Sequence, residues 1–257
     1  MASHRWTEEQ TKQALYLYFQ TPFGKIDKSN SEIIELAERL GRTPASVAMK
    51  LANFASLDPK IVESGRKGLS GASALDRMIW AKFNDDWTRL VGEAEALGHP
   101  AIRSDNGVSD NAAEFVAGPV FGHTTTMVLT EQRVGQNFFR RAVLANYENI
   151  CCVTGINEPE LLNASHIIPW KDDVQNRHNP KNGLCLSATF DRAFDRGFMV
   201  VDARGRVAFS KRLIDNGAVM TRAFFAPYDG QQLLSASRFD PDPSFLEWHR
   251  MRHQANF

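Results

Sequence analysis

"LLNASHIIPWKDDVQNRHNPKNGLCLSATFDRAFDRGFMV", Leu161 to Val200, is the stretch on which the reading of the fold turns. Its opening, "LLNASHII", alternates well enough for a strand that Pro169 ends, yet it carries His166, an imidazole for which a plain core strand has no use. A long polar loop, "KDDVQNRHNPKN", follows, and "GLCL" makes a second short strand. "SATFDRAFDR" then has helical spacing and stops at Gly197. Strand, loop, strand and helix make a ββα unit, and its chemistry-bearing side chains sit on the first strand and the helix.

Asp191 and Asp195 stand at i and i+4, so on a helix their carboxylates project from one face about one turn apart. Two hard oxygen ligands so placed suit Mg²⁺ or Mn²⁺, with waters and a phosphate oxygen completing the shell. An imidazole titrates near neutral pH and can take a proton from water, which fits His166 for a general base. Phosphodiester hydrolysis needs both a base and a cation that offsets charge on the phosphate and the leaving oxygen.

"ASHIIPW", "NPKNGLCL" and "FDRAFDRGFMVVD", in that order and spacing, resemble the ββα-metal motif of HNH endonucleases, in the variant of restriction-type and anti-phage defence nucleases where aspartate replaces the last motif histidine. The lead-in "RVGQNFFRRAVLANYENICCVTG" is similar too, and the resemblance covers roughly residues 131–210. It implies that His166 is the base, that Asp191 and with it Asp195 hold a divalent metal, and that Asn182 supports the loop that aims the base. An Asn-Gly turn with positive φ at Asn182–Gly183 is the plain structural counterpart of that role. Arg177, Lys181, Arg192 and Arg196 surround the expected site as phosphate contacts. The sequence departs from many members at Ser165, where a metal-binding Asp or His precedes the base; a hydroxyl is a weak ligand, which leaves the cation to the helix aspartates.

Upstream the chain reads as helical. Thr7 with Gln10 forms a capping box for one helix, Ser29 with Glu32 announces a second that ends at Gly41, and Thr43 with Pro44 opens a third. "LAERLGRTPASVAMKL" has the pattern of a helix-turn-helix, which would bring Arg42, Ser46, Lys50 and Asn53 near DNA; a plain three-helix bundle is the alternative. "ESGRKGLSGAS" reads as a solvated linker, with Arg66 and Lys67 as a phosphate-contacting alternative. One long amphipathic helix, "ALDRMIWAKFNDDWTRLVGEAEAL", comes next. "NICCVTGI" is expected as a buried strand, and the C-terminal segment as a helix carrying Trp248, with His249 and His253 on a solvated helix end.

The expected fold class is therefore α+β: an N-terminal helical, helix-turn-helix-like domain over 1–99, a connection over 100–130 and a ββα-metal (HNH) nuclease domain over 131–257. With 30 basic and 30 acidic residues the chain has no net field to draw it onto a polyanion, so DNA binding must come from local patches. Cys151, Cys152 and Cys185 fit neither a disulfide framework nor a zinc ribbon, and the polar N-terminus and the lack of an apolar run of roughly 20 residues give no signal peptide or membrane span, so a cytoplasmic protein is expected. The expected partner is double-stranded DNA, with no membrane, and a two-fold homodimer would let one site per chain cut both strands. A non-catalytic helix-turn-helix regulator with a degenerate HNH scaffold is the alternative from another class.

Overall fold

The computed structural model of the chain describes residues 5–66, 68–97 and 123–257, apart from the side chains at 95 and 123–134. Lys67 and most of the expected connection lie outside the described residues. Among the described residues six α-helices build the N-terminal part: α1 (Glu8–Gln20), α2 (Ser31–Arg39), α3 (Pro44–Ala55), α4 (Pro59–Glu63), α5 (Ala74–Phe83) and α6 (Trp87–Ala96). Their ends follow the capping chemistry. Both halves of the Thr7/Gln10 capping box form, Thr43 Oγ1 accepts from the Ser46 N–H, and Gly41 takes φ +62° between α2 and α3.

Two helical expectations need correction. The cap of α2 is Asn30, whose side chain accepts from the Glu32 N–H, because Ser29 is engaged with Asp27 instead. The single long helix is two: it breaks at Asn84–Asp86, where Asp86 accepts from the Arg89 N–H at 3.2 Å and so starts α6 afresh.

A long helix, α7 (His123–Asn146), leads into the second part and begins inside the expected connection. Then come β1 (Leu162–His166), β2 (Gly183–Ser187), α8 (Ala188–Asp195), the hairpin β3 (Met199–Val201) and β4 (Val207–Phe209), α9 (Lys211–Ile214), α10 (Val219–Phe225) and α11 (Pro243–Arg252), which carries Trp248. β1 and β2 pair antiparallel, with Leu162 opposite Ser187 and His166 opposite Gly183. The expected "NICCVTGI" strand is a tight turn: the Gly155 N–H donates to the Cys151 carbonyl at 2.9 Å with Gly155 at φ +75°. It still hooks onto the sheet, as the Cys152 N–H donates to the Cys185 carbonyl at 2.8 Å and the Cys151 sulfur accepts from the Ser187 N–H.

The described chain has two apolar cores, and α7 belongs to both. Phe138 and Ala142 pack with α1, α3, α5 and α6, while Phe139, Val143, Leu144 and Tyr147 pack with β1, β2, α8 and the β3–β4 hairpin. Neighbours about 100° apart round a helix thus face different partners. The C-terminal strap ties the halves again: the buried Arg238 guanidinium donates to the carbonyls of Tyr18 (2.7 Å) and Thr21 (2.6 Å) and lies 4.2 Å over the Tyr18 ring. Asn146 accepts from the N–H groups of both Arg238 and Phe239. Ion pairs join Arg141 to Glu32, Lys60 to Asp240 and, at 3.1 Å, Arg66 to Glu148.

Candidate functional site

His166 ends β1, and three contacts fix its ring. It stacks on Phe139 of α7 with centroids 3.5 Å apart and planes within 10°, meets Trp170 edge-on at 5.7 Å, and places Nε2 3.1 Å from the Arg177 carbonyl oxygen. A carbonyl can only accept, so Nε2 carries the hydrogen and Nδ1 keeps its lone pair. Burial pushes the imidazole down from 6.5 to about 4, against the opposing pull of the Arg177 carbonyl, so near neutral pH the ring is uncharged and Nδ1 can accept a proton.

Asn182 is fully buried and stitches the two ends of the loop together. Its side-chain oxygen accepts from the Ile168 N–H at 2.8 Å, and its amide donates to the carbonyls of Ile168 (3.0 Å) and Asn176 (3.3 Å). The Asn-Gly pair does not form a positive-φ turn. Asn182 closes a short 3-10 turn, and Gly183 has φ −134°, an extended value open to any residue. Glycine is required there by packing instead, because a Cβ would collide with Val143 Cγ2 and the Phe139 ring of α7.

Asp191 and Asp195 lie one turn apart on α8, as the spacing requires. The Asn163 amide donates to Asp191 Oδ2 at 2.8 Å. Desolvation and then repulsion from Asp191 raise the Asp195 carboxyl from 3.8 to about 6, with Arg192 and Arg196 pulling the other way. Side chains alternate along a strand, so Asn163 and Ser165 share the face of β1 toward α8, and His166 takes the face toward α7. The imidazole and the carboxylates therefore lie on opposite faces of β1, with the Asp191 contact at Asn163, three residues before His166. Ser165 Oγ is buried without a hydrogen-bond partner.

This donor set fits a hard divalent cation: two carboxylates whose mutual repulsion a cation would relieve, and an orphaned hydroxyl on the strand face toward their helix. Among the described residues no three His, Cys, Asp or Glu side chains converge as a self-sufficient metal cage, so water and substrate oxygens would have to complete the shell. His249 is not on a solvated end. It is buried, stacks on Phe194 at 3.7 Å with Nε2 3.2 Å from the Phe194 carbonyl, and burial lowers it to about 3.

The basic residues named from sequence fare unequally. Lys50 is only 5% exposed and ion-paired with Asp76, because an ammonium set into the packing of α3 against α5 requires a counter-charge; it is not at a DNA-facing surface. Arg42 donates to the Gln10 side chain and the Arg5 carbonyl and lies 4.2 Å over Trp6. Ser46 and Asn53 are half-buried on α3. Arg177 folds back, donating to the Trp170 carbonyl at 2.8 Å and lying 5.2 Å over its ring. Lys181 pairs with Asp85 at 3.0 Å. Arg192 and Arg196 are exposed, and among the described residues their guanidiniums make no hydrogen bond or ion pair.

Several contributors carry no sequence signature of their own. The Arg177 carbonyl is backbone, and the Phe139 stack is long-range. The α5–α6 elbow grips the same loop: Thr88 Oγ1 donates to the Gln175 carbonyl at 3.3 Å and so accepts from His178 Nδ1 at 3.2 Å. His178, half-buried rather than exposed, has its Nε2 against Gly135 of α7 and is lowered to about 4 by burial. Asn163 was detectable, since it stands two residues before Ser165 on the same strand face.

A comparison with protein families matches residues 151–202 to the family described as HNH endonuclease. The match runs from the Cys151 turn through β1, the loop, β2 and α8 into the β3–β4 hairpin. No curated protein matches the chain. No helix of the described residues is long and apolar enough to cross a membrane.

Proposed function

We propose, from the match of residues 151–202 to the HNH endonuclease family, that the protein is a metal-dependent endonuclease that hydrolyses phosphodiester bonds in double-stranded DNA, of the restriction or anti-phage defence kind whose Asp191 variant of the motif it resembles. The observation that carries the reading is the His166 ring: one nitrogen is committed to the Arg177 carbonyl, and the other is left basic on a side chain kept neutral by burial.

In the reaction His166 Nδ1 takes the proton of a water that attacks the scissile phosphorus, and Nε2–H to the Arg177 carbonyl spreads the positive charge that the ring acquires. Asn182 holds the loop so that this carbonyl stays in place. Asp191, oriented by Asn163, and Asp195 are the residues that would hold Mg²⁺ or Mn²⁺. The cation, when bound, supplies charge stabilisation at the phosphate and the leaving oxygen. Arg192 and Arg196 remain available to neighbouring phosphates.

The regulator alternative gains nothing from α3, where Lys50 is buried and Arg42 is tied to Gln10. Supercoiled plasmid incubated with the full chain over a series of Mg²⁺ and Mn²⁺ concentrations is expected to be nicked or linearised only with the cation, and Asp191→Ala is expected to lose that activity. Equal cutting in chelator, or by Asp191→Ala, would remove the metal from the account.

A further inference from the structure

Helix α8 presents two different surfaces side by side. Asp191 and Asp195 occupy one; Arg192 and Arg196, about 100° round, occupy the next, where they rim an open cavity of about 530 Å³. Its floor is apolar: Ala193, Phe198, Leu213 and Phe225. Beyond it α10 leaves Met220 and Phe224 exposed. An apolar floor with aromatic rings, entered past two exposed guanidiniums, has the chemistry of neither a solvated surface nor a phosphate track alone.

We propose that this cavity receives an unpaired nucleotide of the DNA strand, the base entering against the Phe198 ring in place of the Arg212 guanidinium that lies 5.3 Å from its centroid, and its flanking phosphates held by Arg192 and Arg196. The inference rests on the nuclease reading and specifies its substrate: DNA in which a base next to the cut is unpaired or turned out of the helix. Three features support it. The volume is ample for a purine nucleotide, and bases stack on aromatic side chains irrespective of sequence. Neither guanidinium makes an ion pair or hydrogen bond among the described residues, although both act electrostatically on Asp195, and they match a phosphodiester in charge and shape. The cavity is also continuous with the candidate site through one helix, so a strand crossing Asp191 and Asp195 meets it within about a turn.

The test uses the full chain in chelator, which separates binding from cleavage. Affinity is compared for a DNA duplex and for the same duplex carrying one bulged 2-aminopurine, whose fluorescence reports unstacking. Variants are Thr189→Trp, which fills the cavity from an exposed position on its rim, and Arg192→Ala. Wild type is expected to bind the bulged DNA about tenfold more tightly, with quenching as the base stacks on an aromatic ring. Thr189→Trp is expected to bring the ratio close to one, and Arg192→Ala to weaken bulged DNA more than paired DNA. Equal affinity for the two DNAs, binding to neither, or a preference that survives Thr189→Trp with an unchanged melting temperature would overturn the cavity assignment. So would a dimer in solution that Thr189→Trp dissociates, which would give the surface to a second copy. Plasmid cutting in Mg²⁺ is read separately: cutting without the bulge preference sinks the cavity alone, and the preference without cutting sinks the nuclease reading alone.

Discussion

His166 shows how much one backbone carbonyl can decide. Without the Arg177 contact either nitrogen could carry the hydrogen; with it, the basic nitrogen is Nδ1. Because burial lowers the imidazole from 6.5 to about 4, the acidic limb of the cleavage rate at saturating Mg²⁺, which keeps Asp195 ionised, is expected near pH 4, and an inflection near 6.5 that persists as Mg²⁺ is raised would mean that the ring is solvated. At Asp191 the decisive neighbour is Asn163. Asn163→Ala frees the carboxylate to turn, and Mn²⁺ affinity followed by electron paramagnetic resonance is expected to fall about tenfold or more, whereas an unchanged affinity would take Asp191 out of the metal site. Residue types and spacing pointed to His166, Asp191 and Asp195, and the family resemblance to Asn182, because each is a side chain in a patterned segment. They could not reveal the Arg177 carbonyl or the Phe139 stack, which exist only once the loop and α7 have folded back on β1.

At the scale of elements, the loop between β1 and β2 is held from inside and from outside. Asn182→Ala removes three hydrogen bonds and leaves the Ile168 N–H and carbonyl buried without partners, so a loss of about 2–4 kcal/mol is expected in urea unfolding, and a loss under about 0.5 kcal/mol would show that the loop is held elsewhere. The outside grip is the α5–α6 elbow, through Thr88 and Asp85. Thr88→Val lets the loop and its Arg177 carbonyl drift, and kcat is expected to fall on the order of tenfold with KM little changed; a change in KM alone would make Thr88 a substrate contact. That elbow was hidden in sequence. "FNDDW" sits inside a continuous helical apolar pattern, and only the side chain of Asp86 capping the Arg89 N–H shows that the chain restarts there. The Asn-Gly pair misled differently: its glycine answers the close approach of α7, a long-range cause, rather than a local turn.

For the whole molecule, the succession of β1, loop, β2 and α8 was legible because ββα periodicity is local, whereas the β3–β4 hairpin and the turn at Cys151–Gly155 were not. Nor was the sharing of α7 between two cores, because it depends on long-range packing, as does Arg238, which finds its acceptors at Tyr18 and Thr21, more than two hundred residues earlier. Residues 131–257 expressed alone would expose Phe138 and Ala142 and strand the Arg238 guanidinium. That fragment is expected to melt well below the full chain in circular dichroism, and equal melting temperatures would show two independent domains. The buried histidines also set an acid limit. His249 is held at about 3 in the fold against 6.5 when unfolded, so between those values the unfolded chain binds the extra proton, and this contribution to stability is present above about 6.5 and is lost as pH falls. The melting temperature is expected to drop from pH 6.5 to 4.5, and to drop less in His249→Gln; parallel curves would place the acid sensitivity elsewhere.

The most direct test of the central claim is single-turnover cleavage of plasmid and linear DNA in Mg²⁺, Mn²⁺ and chelator by wild type and His166→Ala, with DNA affinity measured alongside. Metal-dependent cutting that falls by about two to four orders of magnitude in His166→Ala at nearly unchanged affinity is the expected result. A His166→Ala protein that cuts at the wild-type rate would contradict the account.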